Sequence, residues 1–98
     1  MIVTIFRVRV REDADLGELE KLQQRMFDIV QRMPGFLGVK DFQAEDGEGL
    51  TIAEFDTMEN QIRWRDHPEH KAAQELGRKR FFKEYSVQVC ELVRGSRL

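Results

Sequence analysis

Apolar and polar residues alternate at the start of the chain, over residues 2–11, with the two-residue period of a β-strand. The apolar residues that follow recur every three or four positions, which is typical of an amphipathic helix. Asp15 and Glu18 are spaced as a capping pair for this helix, and Pro34 with Gly35 marks its end. The residues predicted to form its buried side are Leu16, Leu19, Leu22, Met26, Ile29, Val30 and Met33.

Three further strands are predicted along the rest of the chain. Residues 36–44 and 50–55 are rich in strand-forming residues, and the intervening segment EDGEG has turn composition. These two strands should pair as a hairpin, with a bulge at Gly38 in the first. A last alternating segment, residues 85–94, predicts a strand near the C-terminus.

Residues 57–85 predict two helical pieces joined near His67. Thr57 with Asn60 forms a helix start, and the segment DHPE, residues 66–69, forms a second one in which Asp66 caps and Pro68 occupies the first turn. Met58 and Ile62, one turn apart, are predicted to face the core in the first piece. Trp64 lies about 200° around the helix from Ile62 and should point elsewhere.

The predicted order β-α-β-β-α-β indicates an α+β fold, an antiparallel sheet with both helices on one face. The strands, however, carry apolar side chains on both faces: Val3 and Ile5 oppose Ile2 and Phe6, for example. The helices can cover only one of these faces, and an exposed apolar face of several hundred Å² is at the limit for a monomer. A second copy of the sheet is the simplest cover, so we expect a homodimer.

Composition narrows the partners and the cellular setting. The 98 residues form one domain, with 16 basic and 18 acidic side chains that are interspersed, so neither a nucleic-acid nor a membrane partner is expected. Arg7, Arg9 and Arg11 on one strand face are interpreted as solvated surface. Cys90 is the single cysteine and should be a small core residue, and a reducing, cytoplasmic setting is predicted. No targeting signal or spanning segment is evident.

The candidate chemistry lies in the second helical region. Asn60, Trp64 and His67 follow i, i+4, i+7 spacing and form one stripe if the helix continues that far. A Trp buries about 150–250 Å², so Trp64 should be covered by a pocket wall, a second subunit or the core. His70, Ala73, Gly77 and Phe81 follow on one side of the later helix, where the small residues leave room for a ligand or for close packing. His67 and His70 could hold a metal, but no third ligand is identifiable.

The segments MPGFLGVKDFQ, LTIAEFD and YSVQVCELVR, together with residues 57–85, resemble the antibiotic biosynthesis monooxygenase domain over essentially the whole chain. The resemblance implies a ferredoxin-like, dimeric α+β barrel. Asn60 and Trp64 match a pocket pair of the anthrone-oxidising branch in type and spacing. His70 stands where that branch has a Tyr, and Arg78 or Arg80 is the nearest candidate for its Arg. The haem-degrading branch is disfavoured, because the first strand lacks its Asn and Gln74 lies near the place of its His.

This resemblance implies a cofactor-independent monooxygenase that oxidises a small electron-rich aromatic, such as a quinol or an anthrone, with O₂. The site must position the substrate, deprotonate it and exclude water. We assign the base to His70 and the orienting roles to Asn60 and Trp64, with His67, Ala73, Gly77 and Phe81 at the substrate. The alternatives are a non-catalytic dimer that binds a small hydrophobic ligand, and a haem-binding or isomerase member of the same fold.

Overall fold

Four antiparallel strands form one sheet in the order β2-β3-β1-β4, in a computed structural model that describes residues 1–98. The pairing confirms the predicted α+β fold and the β2–β3 hairpin, and a register shift between Phe36 and Gly38 confirms the bulge. None of the helices has the length and apolar character needed to span a lipid bilayer. The elements are β1 (Ile2–Val10), α1 (Leu16–Val30), β2 (Phe36–Gln43), β3 (Gly49–Phe55), α2 (Met58–Arg65), α3 (Pro68–Leu76), a π-helical turn (Gly77–Phe81) and β4 (Phe82–Glu91).

Helix α1 begins as predicted, with the Glu18 N–H donating to Asp15 Oδ1 at 3.0 Å. Its buried side includes Leu19 and Val30, but Leu16 is 66% exposed, so its assignment to the core was wrong. At about 100° per residue, Leu16 lies on the edge of the apolar stripe, close to the direction of Phe27. Phe27 is also exposed. The stripe that packs on the sheet is therefore narrower than the sequence pattern indicates.

Helix α2 buries a different side from the one predicted. Thr57 caps it, its Oγ1 accepting from the Asn60 N–H at 3.2 Å, as expected. Gln61 and Trp64 are buried, however, whereas Met58 is 44% exposed. This eight-residue helix has few apolar side chains, and burying the large indole outweighs burying Met58.

The second helix start is confirmed, but His67 caps it instead of Asp66. The Nδ1 atom of His67 accepts from the Glu69 N–H at 3.2 Å, and Pro68 is the first residue of α3. Asp66 forms an ion pair with Arg65 at 3.0 Å instead. The side chain of His67 is therefore committed to the helix junction.

Strand β4 begins at Phe82 and ends at Glu91, three residues before both predicted boundaries. The reason is a long-range contact made by Arg11, which lies just beyond β1. Its guanidinium donates to the backbone oxygens of Arg78 at 3.0 Å, Lys79 at 2.8 Å and Phe82 at 3.3 Å. These bonds satisfy carbonyls at the end of the π-helical turn and allow the strand to start at once.

Gly77 is required by close packing between the π-helical turn and β4. A Cβ at this position would lie 2.7 Å from the Phe82 ring, which is itself buried. We expect Gly77→Ala to lower the free energy of unfolding by about 1–3 kcal/mol through overpacking. Gly17→Ala is the matched control, because its Cβ would meet only an ordinary contact at 3.5 Å. Equal free energies of unfolding for the two variants, measured by urea unfolding, would contradict this expectation.

The face of the sheet away from the helices is partly apolar, as the sequence predicts. Ile5 pairs with Ile52 on this outer face, and both remain half-exposed beside Val3 and Leu50. Cys90 pairs with Val3 on the same face and is exposed, so its assignment to the core was wrong. The outer-face ion pairs are Arg7–Glu48, Arg9–Asp46 and Arg9–Glu84.

Candidate functional site

A cavity of about 250 Å³ lies between the helices and the inner face of the sheet. Its sheet wall comes from all four strands, and its other wall comes from α1, α2 and α3. Most of the lining is apolar, which is typical of a site for a small organic ligand. The polar or charged residues that line it are Thr4, Gln23, Asp41, Thr51, Gln61, Arg65, His70, Gln74 and Tyr85.

Trp64 forms part of the core and part of the cavity wall. Its side chain is 8% exposed and packs in a cluster with Val30 and Phe55. The same residue lines the cavity. Two of the covers expected for the indole, the core and a pocket wall, are therefore combined in one position.

His70 stacks on Trp64, with ring centroids 4.0 Å apart and an interplanar angle of 12°. Its Nδ1 lies 3.0 Å from the Trp64 backbone oxygen. Because a carbonyl only accepts hydrogen bonds, Nδ1 carries the proton in the neutral ring and Nε2 keeps its lone pair. Burial lowers the pKa of His70, an effect that the hydrogen bond to Trp64 opposes. The result is a neutral imidazole whose Nε2, at the cavity, accepts a long hydrogen bond of 3.5 Å from Gln74 Nε2.

Asn60 and His67 lie outside the cavity lining. The Asn60 Nδ2 donates to Asp56 Oδ1 at 2.8 Å, and this bond lowers the pKa of the Asp56 carboxyl. The His67 ring lies 5.9 Å from the Trp64 ring, but its Nδ1 is used to cap α3. The structure therefore brings Trp64 and His70 together at the cavity and leaves Asn60 and His67 at the two ends of α2.

The other candidates that follow His70 also divide into residues at the cavity and residues away from it. Ala73 lines the cavity, one turn after His70. Gly77 and Phe81 are buried away from it, Phe81 in a core cluster with Leu19 and Phe82. The small residues on this helix thus leave room at Ala73 and serve close packing at Gly77.

Several lining residues were missed by the sequence reasoning. The phenol of Tyr85 lines the cavity, and burial raises its pKa. The Arg78 guanidinium lies 5.7 Å from the Tyr85 ring centroid, whereas Arg80 pairs with Glu18 at 2.8 Å. The one available signal was Thr4, a polar residue at an inward position of an apolar strand face.

No three His, Cys, Asp or Glu side chains lie together in a way that would hold a metal ion. His67 and His70 are three residues apart in the chain, but His67 Nδ1 accepts from the Glu69 N–H and His70 Nδ1 donates to the Trp64 carbonyl. The Nδ1 atoms of both histidines are therefore already used in hydrogen bonds within the chain.

The fold and this cavity define a small α+β domain with a largely apolar site between its helices and its sheet. Residues 1–76 match the antibiotic biosynthesis monooxygenase family, to which the chain belongs. It is also 37% identical over 87 residues to the uncharacterised protein YqjZ of Bacillus subtilis, an alignment that covers 89% of this chain and 74% of that protein.

Solved structures share the fold at low sequence identity. Rv0793 from Mycobacterium tuberculosis matches with a TM-score of 0.83 at 16% identity, covering 98% of each chain. SnoaB, a cofactor-independent oxygenase from Streptomyces nogalater, matches with a TM-score of 0.77 at 16% identity, covering 96% of this chain and 94% of that one. These likenesses establish the fold alone.

Proposed function

We propose that this protein is a cofactor-independent monooxygenase that oxidises a small electron-rich aromatic with O₂. The observation that carries the proposal is the neutral, half-buried His70, stacked on Trp64 with its Nε2 at an apolar cavity. A base of this kind suits the ionisation of an anthrone or a phenol near neutral pH. Family membership and the fold shared with SnoaB are consistent with this chemistry.

The reaction balances without a further reductant when the substrate is anthrone-like. His70 Nε2 takes a proton from the ring CH₂, and the resulting anion transfers an electron to O₂. The radical pair combines to form a carbon–oxygen bond, and the proton held by His70 Nε2 passes to the resulting peroxide anion, which gives a hydroperoxide at that carbon. Loss of water then breaks the O–O bond and the remaining C–H bond at that carbon, so one oxygen atom remains as the new carbonyl. The substrate supplies all four electrons that reduce O₂.

The other side chains position the substrate and keep water away. Trp64 forms part of the cavity wall and holds the ring of the base by stacking on it. Ala73 leaves space one turn further along α3. Asn60 lies outside the cavity and holds Asp56 at the start of α2, so we assign it an indirect role in placing Trp64.

Oxygen uptake with a panel of anthrones and hydroquinones tests the proposal. Saturable, enzyme-dependent uptake with at least one of them, and formation of the corresponding quinone, is expected. Quenching of Trp64 fluorescence by these compounds with no uptake would overturn it and favour a non-catalytic binding dimer. A Soret shift on adding haemin, again without uptake, would favour a haem-binding member of the fold.

We further propose that two copies pack through the outer faces of their sheets. The chain exposes 7076 Å², whereas a folded monomer of 11.6 kDa should expose about 5,800 Å². The excess, about 1,300 Å², includes the exposed residues 92–98 and is larger than the ~800 Å² that each partner buries in a standard interface. Ile5 and Ile52, half-exposed at adjacent positions of the two central strands, lie in the middle of this apolar face.

Ile5→Lys is expected to convert the dimer to a monomer, because it places a charge in the middle of the proposed interface. Leu16→Lys is the matched control, since Leu16 is exposed at the start of α1 on the opposite side of the sheet. Size-exclusion chromatography with light scattering should give a dimer mass for the wild type and the control. A monomeric wild type at micromolar concentration would refute the arrangement.

The cytoplasm is our proposed location. Cys90 is unpaired and exposed on β4. A free thiol of this kind is suited to a reducing compartment.

A further inference from the structure

The hydroxyl of Thr4 is buried at the cavity without a hydrogen-bond partner in the chain. Thr4 lies in the middle of β1, and its neighbours across the sheet, Ala53 and Val89, line the cavity with it. Thr4 Oγ1 is the only fully buried side-chain nitrogen or oxygen atom that lacks a partner. Burying an unpaired hydroxyl costs stability, so its retention at this position calls for a partner that the chain does not supply.

Gln61 is a second polar side chain at the cavity without a partner. It is 4% exposed, the only polar residue in the buried set. The side chains of α2 that form hydrogen bonds are Asn60, Arg63 and Arg65, and Gln61 makes none. Gln61 precedes Trp64 by three positions, so both project from the same side of α2 into the cavity wall.

We propose that Thr4 and Gln61 form a neutral polar subsite that binds an oxygen substituent, a carbonyl or a hydroxyl, of a ring-shaped ligand in the cavity. Both residues line the cavity: Gln61 lies on α2 with Trp64, and Thr4 pairs with Ala53, which packs against the cluster that contains Trp64. Each can donate and accept a hydrogen bond, which matches either kind of oxygen. Their surroundings are apolar, so an uncharged group is favoured over an ion.

This inference rests on the proposed function, because it assigns a second oxygen of the substrate to a place distinct from His70. A quinol or an anthrone carries such an oxygen in addition to the position that is ionised. The subsite would therefore select ligands by the number and placement of their oxygen atoms, and would orient the ring against Trp64.

The test compares two ligands that differ by one carbonyl oxygen, α-tetralone and tetralin, through quenching of Trp64 fluorescence. Thr4→Val and Gln61→Leu should each weaken the binding of α-tetralone by about 3- to 10-fold, which corresponds to the loss of one hydrogen bond. The affinity for tetralin should stay unchanged. Thr4→Ser keeps the hydroxyl and should keep the wild-type affinity ratio. Gln31→Leu, an exposed position at the end of α1, is the control for a changed glutamine.

An unchanged affinity ratio in both Thr4→Val and Gln61→Leu would overturn the proposal. Failure of the wild type to bind either compound would overturn it as well. Neither probe is a quinol or an anthrone, so the measurement includes no oxidation step. A protein that discriminates between the probes but takes up no oxygen would therefore retain the subsite and lose only the proposed reaction.

Discussion

Replacing His70 by alanine is expected to reduce oxygen uptake with the best anthrone or quinol by about 100-fold or more, the usual contribution of a positioned general base. The neutral ring stacks on Trp64 at 4.0 Å and donates from Nδ1 to the Trp64 carbonyl, which leaves Nε2 as the proton acceptor. Histidine is the side chain whose ordinary pKa is nearest to neutrality, and His70 is the one histidine that lines the cavity. Uptake measured with a Clark electrode at saturating substrate gives the comparison.

The pH profile supplies a second measurement on the same residue. Burial lowers the pKa of His70, so the basic form persists to lower pH than in an exposed histidine. In the wild type, kcat/KM should fall at low pH, and this fall should lie at lower pH than an exposed histidine would give. The unfolded chain binds a proton there before the folded chain does, so the stability that this neutral histidine contributes is also lost as pH falls. In His70→Ala, both the fall of kcat/KM and this loss of stability at low pH should disappear.

His67→Asn is the matched control, because asparagine can also cap α3 and the His67 side chain lies outside the cavity lining. This variant should retain most of the oxygen-uptake activity and the fall of kcat/KM at low pH. Activity that survived in folded His70→Ala, as judged by circular dichroism, would remove His70 from the base role. Loss of activity in His67→Asn alone would indicate that His67, at the helix junction, is the base.

Trp64→Ala is expected to lower the free energy of unfolding by about 3–5 kcal/mol, which is the usual cost of removing a buried aromatic side chain. The indole is 8% exposed, packs with Val30 and Phe55, and supports the His70 ring from one side. Small domains have a total stability of about 5–15 kcal/mol, so a large part of the margin would be lost. Urea unfolding followed by far-UV circular dichroism measures the effect without the tryptophan signal.

Trp64→Phe should cost less, because it keeps an aromatic ring in the cluster, and Leu16→Ala, at a 66% exposed position, should change stability by less than about 0.5 kcal/mol. A loss below about 1 kcal/mol in Trp64→Ala would mean that water enters the enlarged cavity at little cost. Trp64 would then serve mainly as a pocket wall and contribute little to the core.

Much of the fold could be predicted from local sequence patterns. The alternation in β1, the Asp15 and Thr57 caps, the Gly38 bulge and the β2–β3 turn all depend on residues close together in the chain. Each was correct because neighbouring residues decide it. The boundary at Phe82 was not predictable in this way, since it depends on Arg11 bonding to carbonyls more than 60 positions away.

The candidate site was only partly predictable for a related reason. Helical spacing places Asn60, Trp64 and His67 on one stripe, but a helix break at His67 ends that geometry. The change of direction brings His70 onto the Trp64 ring and leaves His67 as a cap. Thr4 and Gln61 come from distant segments, and only the packing of α2 against the sheet puts both at one cavity.

The sequence by itself determined the element order, the family and the apolar character of both sheet faces, because these follow from residue type and period. The tertiary structure alone decided which side of α2 is buried, which histidine faces the cavity and which polar groups lack partners there. Those outcomes depend on how large side chains from separate elements fill one space. Packing of this kind is set by long-range contacts that no local pattern in the chain encodes.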